Sequence, residues 1–183
     1  MTRQVLFVQG GGEDVHDSWD NHLADSLKRE LESDFDIHYP RMPQESDPTY
    51  ARWAPAIRKE LAKLSDGAIV VGHSVGATVL INVLAAEAPP IALGGIFLVA
   101  APFIGEGGWP SDEIEARANL GDDLPADTPV YLYHGSDDDE VPPSHLKLYA
   151  GAIPQAVTTT LKGRDHQLGN DLTEVAKDIR SLS

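Results

Sequence analysis

One stretch near the middle of the chain constrains the fold more than any other. Residues 69–80 read Ile-Val-Val-Gly-His-Ser-Val-Gly-Ala-Thr-Val-Leu. The run of β-branched apolar residues is typical of a buried strand, and the apolar stretch after the second glycine is typical of a buried helix. Between them, Ser74 has a glycine two positions away on either side. The stretch therefore predicts a strand that turns sharply at Ser74 into a helix.

The two glycines explain how a serine can occupy such a turn. A Cβ atom at Gly72 or Gly76 would collide with the tightened backbone around the strained serine. A strand, this turn and a helix form the GxSxG nucleophile elbow, which makes Ser74 a candidate nucleophile. The N–H of Val75, at the positive end of the helix, is a candidate donor to an oxyanion. Because ordinary strand-to-helix turns can also hold a glycine-flanked serine, the interpretation depends on partner residues elsewhere in the chain.

Strand-like and helix-like segments alternate about six times along the 183 residues. This alternation predicts a three-layer α/β/α sandwich with a mostly parallel sheet of about six strands, in one domain over residues 1–183. Besides the elbow strand, the strand-like runs are residues 5–8, 35–39, 96–99, 130–134 and 156–161. Ligand sites in such sheets form at the carboxyl ends of the strands.

The helix signals are less regular than the strand signals. They predict a helix that begins at Asp17 or Ser18 and carries Trp19 on its apolar stripe. They also predict a helix from Asp47 that Pro55 kinks or splits. A short helix over residues 113–118 is the only candidate in the Gly-, Pro- and acid-rich stretch 105–127, so any lid over the site is small.

A glycine run follows the first strand. Residues 9–12 read Gln-Gly-Gly-Gly, and the lysine and serine or threonine of a phosphate-binding loop do not follow. Glycines at this position let the backbone approach a ligand closely. Gly11 is therefore the preferred second oxyanion donor, with Gly10 and Gly12 as alternatives.

A serine needs a base to take its proton, and the base needs a carboxylate to orient it. Of the seven histidines, only His166 follows the last strand in a glycine-bearing loop that can reach the elbow. His134 ends a strand and is the competing candidate, which we expect to be structural. His145 is expected at the surface of its helix.

Four adjacent acids, residues 137–140, can supply the carboxylate, although such a run is also typical of a solvated turn. The pattern His134-Gly135-x-x-Asp138-x-x-Val141-Pro142 resembles the acid loop of the α/β-hydrolase superfamily. The resemblance implies that Asp138 orients the histidine, with Asp137 and Asp139 as alternatives. The order Ser74, Asp138, His166 along the chain is also that of α/β-hydrolases.

The chain is similar, over nearly its whole length, to small serine hydrolases of the retinoblastoma-binding protein 9 (YdeN-like) type. The likeness lies in the Gly-His-Ser-Val-Gly elbow, residues 39–43, residues 99–103 and the minimal lid. Two departures matter. Gln9 stands where the superfamily usually has a histidine before the glycine loop, and the retinoblastoma-binding motif needs a cysteine, which this chain lacks.

These patterns predict a serine hydrolase that cleaves an ester or similar small acyl compound without a cofactor or metal. Trp19, Phe103 and Trp109 are candidate acyl-pocket residues, and each is equally compatible with ordinary core packing. The alternatives are a peptidase or amidase with the same site, a non-catalytic binding protein on a hydrolase scaffold, and a different chemistry on the same fold. A dehalogenase is disfavoured, because such enzymes generally have aspartate at the elbow.

The net charge of the chain limits the kinds of molecule that it can bind. The formal net charge of −15 repels nucleic acid and anionic lipid. The sequence contains no apolar run long enough to span a bilayer and no signal-peptide pattern at its N-terminus, so we expect a soluble, cytoplasmic protein. The absence of cysteine excludes disulfides and thiol catalysis. The sequence leaves the oligomeric state and the natural substrate open.

Overall fold

The computed structural model describes residues 2–182 and contains a single six-stranded sheet in these residues. The strands lie in the order β2-β1-β3-β4-β5-β6, and each neighbouring pair is parallel. The predicted α/β/α fold with a parallel sheet is therefore confirmed. The strands are β1 (Arg3–Val8), β2 (Phe35–His38), β3 (Ile69–His73), β4 (Gly95–Val99), β5 (Val130–Gly135) and β6 (Val157–Leu161).

Six α-helices connect and cover the described strands. Their bounds are α1 (Val15–Ser18), α2 (Asp20–Leu31), α3 (Tyr50–Leu61), α4 (Ser74–Ala86), α5 (His145–Ala152) and α6 (Thr173–Ser181). None of the helices within residues 2–182 is long and apolar enough to cross a membrane.

Alternate residues of the central strands enter two separate cores. In β3, Ile69 and Val71 pack with α2 and α6, whereas Val70 packs with α3, α4 and α5 on the other face. This two-sided burial explains why β3 and β4 read as continuous apolar runs, since every residue of both strands is buried. Burial of both faces also holds the carboxyl ends of the strands at one rigid edge.

The helix predictions need three corrections. The backbone breaks at Trp19, and the buried stripe of α2 runs from Asp20 through Leu23, so Trp19 lies 55% exposed instead of in the core. Pro55 does not split its helix, because it lies inside α3, which is continuous and begins at Tyr50 instead of Asp47. Residues 113–118 form no helix, because the hydroxyl of Ser111 accepts the N–H groups that follow it in a local turn.

The first turn of α4 lies directly against the end of β1. A Cβ atom built on Gly76 would overlap the backbone carbonyl oxygen of Gln9 and lie 3.0 Å from that of Val8. The helix can therefore approach β1 this closely only because residue 76 has no side chain. The requirement for glycine comes from the neighbouring strand as well as from the turn itself.

We predict that Gly76→Ala lowers the free energy of unfolding by about 2–3 kcal/mol, because a backbone carbonyl cannot move aside as a flexible side chain can. The matched control is Gly151→Ala in α5, where a new Cβ meets nothing within 4 Å. That variant should be unchanged or more stable by up to about 1 kcal/mol. Thermal and urea unfolding measure both, and equal stability of the two variants would contradict the close contact.

Candidate active site

The turn from β3 into α4 places Ser74 in a strained conformation. Its φ angle is 54°, in the left-handed region that non-glycine residues rarely adopt. A Cβ atom on Gly72 would lie only 2.5 Å from the Cα of Ala77, so the turn cannot tighten this far with any larger residue. Such strain in a non-glycine residue is typical of functional sites.

Ser74 meets Asp138 and His166 at the carboxyl edge of the sheet. The Oγ of Ser74 lies 2.9 Å from Nε2 of His166, and Nδ1 of the same ring lies 2.8 Å from Oδ2 of Asp138. Ser74 begins α4 directly after β3, whereas Asp138 and His166 lie in the loops that follow β5 and β6. Both partners of the serine are 6% exposed, so the hydrogen bonds are shielded from bulk water. Residues separated by up to 92 positions therefore form one continuous hydrogen-bonded chain.

Of the four adjacent acids, Asp138 is the one that lies within hydrogen-bond distance of Nδ1 of His166. Its Oδ1 accepts the backbone N–H groups of Glu140 at 3.0 Å and Val141 at 2.9 Å, which orients the side chain inward. Burial raises the pKa of Asp138, but hydrogen bonds from His134, His166 and Val141 outweigh it and hold the pKa well below the usual range. The carboxylate is therefore ionised at neutral pH and can only accept hydrogen bonds from the histidine.

The competing histidine touches the same carboxylate but not the serine. His134 is buried at the end of β5, where its Nε2 lies 2.9 Å from the carbonyl oxygen of Val141 and 3.0 Å from Oδ2 of Asp138. The His134 ring therefore stabilises the acid loop through its contacts with Val141 and Asp138. The prediction that His145 is a surface residue is wrong, because this side chain is 3% exposed and its Nδ1 accepts the N–H of Phe103 at 2.8 Å.

The three glycines after β1 differ in what their N–H groups bind. Gly10 donates to Oδ2 of Asp20 at 2.6 Å, and Gly12 donates to the carbonyl oxygen of Glu45 at 2.7 Å. Within residues 2–182, the N–H of Gly11 has no acceptor. A Cβ on Gly11 would lie 2.9 Å from the side chain of Val75, so the two residues are neighbours. Gly11 is thus the member of the run whose N–H remains available to a ligand.

Val75 contributes the second available N–H group. It lies in the first turn of α4, where N–H groups have no acceptor within the helix and face the positive end of the helix dipole. Both residues are close to Ser74, because Val75 follows it in the chain and Gly11 lines the same cleft. Such a pair can stabilise the negative oxygen that forms when an acyl carbon is attacked.

An open cleft of about 340 Å³ leads to Ser74. Trp19 lines it, so the helix break that exposes this side chain also places it at the site. Phe103 and Trp109 lie outside the cleft. Phe103 packs edge-on against Tyr149 at 5.1 Å, and Trp109 lies in a neighbouring pocket beyond α4. The cleft is lined by Gly10, Gly11, Gly12, Glu13, Val15, Trp19, Asp20, His73, Ser74, Asp139, Glu140, Asp165, His166 and Gln167.

Sequence reasoning missed one residue of the site altogether. Asp20 is 0% exposed, lines the cleft, and contacts both the glycine loop and His73 of the elbow. Nothing in its local sequence distinguishes it from the other acids at helix starts. Asp20 reaches the site only because α2 packs against the elbow, which the local sequence does not show.

Comparisons with known proteins identify the family of the chain and its fold. A family model described as serine hydrolase matches residues 6–167. The structure is similar to that of the esterase RhEst1 from a Rhodococcus species, with a TM-score of 0.76 and 20% identity over 100% of this chain and 92% of that one. It is also similar to the ydeN gene product of B. subtilis, with a TM-score of 0.72 and 21% identity over 99% and 98% of the two chains. No curated protein matches the chain.

The family match begins within β1 and includes the elbow, the acid loop and His166, and so covers every residue that lines the cleft. The structural neighbours share the fold over nearly the full length of both chains. The chain therefore belongs to the serine hydrolase family and is a hydrolase with an α/β-hydrolase fold.

Proposed function

We propose that this hydrolase cleaves small carboxylic esters through an acyl-enzyme formed on Ser74. The observation that carries the proposal is the hydrogen-bonded chain from Asp138 through His166 to Ser74, at 2.8 and 2.9 Å, at the base of an open cleft. The esterase RhEst1 has a similar fold, which is consistent with ester cleavage.

In the proposed reaction, Oγ of Ser74 attacks the acyl carbon while Nε2 of His166 takes the hydroxyl proton. Asp138 accepts the Nδ1 hydrogen bond and so stabilises the imidazolium that forms. The N–H groups of Gly11 and Val75 stabilise the tetrahedral oxyanion, and each such donor typically contributes about 3–4 kcal/mol. His166 then protonates the leaving alkoxide, which departs as the alcohol.

The second half of the reaction repeats these steps with water. His166 removes a proton from the water that attacks the acyl-enzyme, and it returns that proton to Oγ of Ser74 when the acid leaves. The open cleft admits this water directly. The small lid predicted from the sequence is consistent with a site that accepts short or varied acyl groups.

The first test is labelling with a fluorophosphonate, which reacts with an activated serine regardless of the substrate. Ser74→Ala should abolish labelling and ester turnover while the variant stays folded. Asp138→Asn and His166→Ala should slow both by about 10³-fold or more, because the serine then lacks an oriented base. A well-folded wild type that is not labelled would contradict the proposal and favour the non-catalytic binding protein.

The exposed indole of Trp19 should contact the acyl chain. We predict that Trp19→Ala raises KM for a nitrophenyl hexanoate several-fold more than for a nitrophenyl acetate, because only the longer chain reaches the indole. Trp109→Ala is the matched control, since this indole is 40% exposed but lies outside the cleft. Steady-state kinetics distinguish the two, and equal effects of both variants would argue against this placement of the acyl chain.

Carboxylates dominate the charge of the cleft. Among the described residues that line it, Glu13, Asp139, Glu140 and Asp165 carry carboxylates in addition to the buried Asp20, and none is a lysine or arginine. A nitrophenyl hemisuccinate should therefore have a kcat/KM about tenfold below that of the neutral butyrate, and added salt should narrow the difference.

Glu13→Gln should reduce this discrimination against the anionic ester. Glu106→Gln, which removes a charge outside the cleft, should leave it unchanged. Equal kcat/KM values for the two esters in the wild type would show that the lining acids do not act on the substrate.

A further inference from the structure

A second buried aspartate–histidine pair, Asp20 and His73, lies beside the proposed catalytic residues Ser74 and His166. Nδ1 of His73 lies 2.9 Å from Oδ2 of Asp20, and Nε2 of the same ring lies 3.0 Å from the backbone carbonyl oxygen of His166. Asp20 is 0% exposed and His73 is 1% exposed. The centroids of the His73 and His166 rings are 5.0 Å apart. The proposed mechanism uses neither Asp20 nor His73.

Both ring nitrogens of His73 face groups that accept hydrogen bonds. A backbone carbonyl has no proton to donate, so Nε2 must carry one. Asp20 accepts the N–H of Gly10 at 2.6 Å and the side-chain amide of Gln167 at 3.1 Å, which are the partners of an ionised carboxylate. Nδ1 must then donate as well, which makes the ring a doubly protonated imidazolium.

The electrostatic environment also favours a doubly protonated His73 and an ionised Asp20. Burial lowers the pKa of His73, but the charge and hydrogen bond of Asp20 outweigh burial and the pKa is raised. Burial likewise raises the pKa of Asp20, yet the facing His73 and the N–H of Gly10 hold it below its usual value. A buried ion pair with all its hydrogen bonds made is the arrangement in which both charges persist.

The pair connects every segment that carries a proposed catalytic group except the acid loop. Asp20 holds the glycine loop through Gly10, and His73 is itself the residue before Ser74. His73 also holds the carbonyl of His166, whose loop follows the edge strand β6, where no residue is fully buried. Leu168 anchors the far end of this loop by burial. The carbonyl contact fixes His166 itself.

We propose that Asp20 and His73 are positioning residues. His73 fixes the loop of His166 through its backbone carbonyl, while Asp20 fixes the glycine loop through Gly10 and holds the protonated ring of His73 in place. This proposal rests on the proposed function, because it assigns the pair a role in the reaction of Ser74 and His166. It also explains why Gly10 is not the oxyanion donor, since its N–H is used by Asp20.

Substitution of His73 by asparagine or by glutamine tests its two hydrogen bonds, to Asp20 and to the carbonyl of His166, one at a time. The amide nitrogen of asparagine overlays Nδ1 and that of glutamine overlays Nε2. His73→Asn therefore keeps the contact with Asp20 and loses the one with the carbonyl of His166. We expect kcat and the fluorophosphonate labelling rate to fall about tenfold to a hundredfold, with KM within about twofold of wild type. His73→Gln retains the donor to that carbonyl and should recover most of the lost rate.

The matched control is His145→Asn. His145 is as deeply buried as His73, and its bond to the N–H of Phe103 can be kept by the asparagine oxygen. It should lose stability without losing kcat. A His73→Asn variant with wild-type kcat, or with a loss equal to that of His145→Asn, would overturn the proposal, as would equal impairment of His73→Asn and His73→Gln.

The protonation of His73 can be measured in the wild type, whether or not the variants fold. Nitrogen-15 magnetic resonance at pH 7 should show both ring N–H groups of His73 in slow exchange, and a singly protonated ring would overturn the proposal. The labelling distinguishes failure of the proposed function from failure of the positioning role. If the proposed function is wrong, the wild type is not labelled. If only the positioning role is wrong, the wild type is labelled and His73→Asn reacts equally fast.

Discussion

The close approach of α4 to the end of β1 is the constraint on which the rest of the site depends. Because Gly76 has no side chain, the first turn of the helix lies on the carbonyl of Gln9. The same approach brings Val75 beside Gly11, so two residues from distant segments, each with an N–H group that no acceptor in its own segment takes, become neighbours. Gln9 stabilises this arrangement through its buried side chain, which accepts the N–H of Met42 at 2.8 Å and donates to Glu45 at 2.7 Å. The residue that departs from the usual histidine of the superfamily thus anchors the glycine loop here.

The polar groups beneath the cleft are organised as two carboxylate–histidine systems. Asp138 contacts His134 and His166, and Asp20 contacts His73. Burying these charges costs desolvation energy that a pair of apolar side chains would not incur, so their contribution to stability is small or unfavourable. What they provide is geometry, because each carboxylate oxygen faces specific donors at 2.6–3.1 Å. A site that needs a serine, a base and two N–H donors in fixed register benefits from such directional contacts more than from nonspecific apolar packing.

The strands and the order of the candidate residues could be predicted because their signals are local. A continuous apolar run marks a buried parallel strand, and Ser74 and Asp138 each follow such a strand in the sequence. His166 follows the Thr-rich edge strand β6. The exposed Trp19, the buried His145 and the buried Asp20 were not predictable, because each depends on which distant segment packs against it. Trp19 fits the helical spacing of its neighbours, yet the chain breaks there and the buried stripe begins one residue later. Phe103 and Trp109 were equally compatible with pocket and core, and only the path of residues 103–114 places them outside the cleft.

By itself, the sequence determined the fold class, the elbow and the chain order of the candidate catalytic residues. These follow from residue size, polarity and periodicity, which act over a few positions. The sequence preferred Gly11 and His166, but the hydrogen bonds that distinguish them from Gly10, Gly12 and His134 come from the tertiary structure, as does the pairing of Asp20 with His73. Each of these outcomes is a competition for hydrogen-bond partners among groups far apart in the chain. Directional bonds of about 3 Å are set by the packing of whole elements, so local sequence cannot specify them.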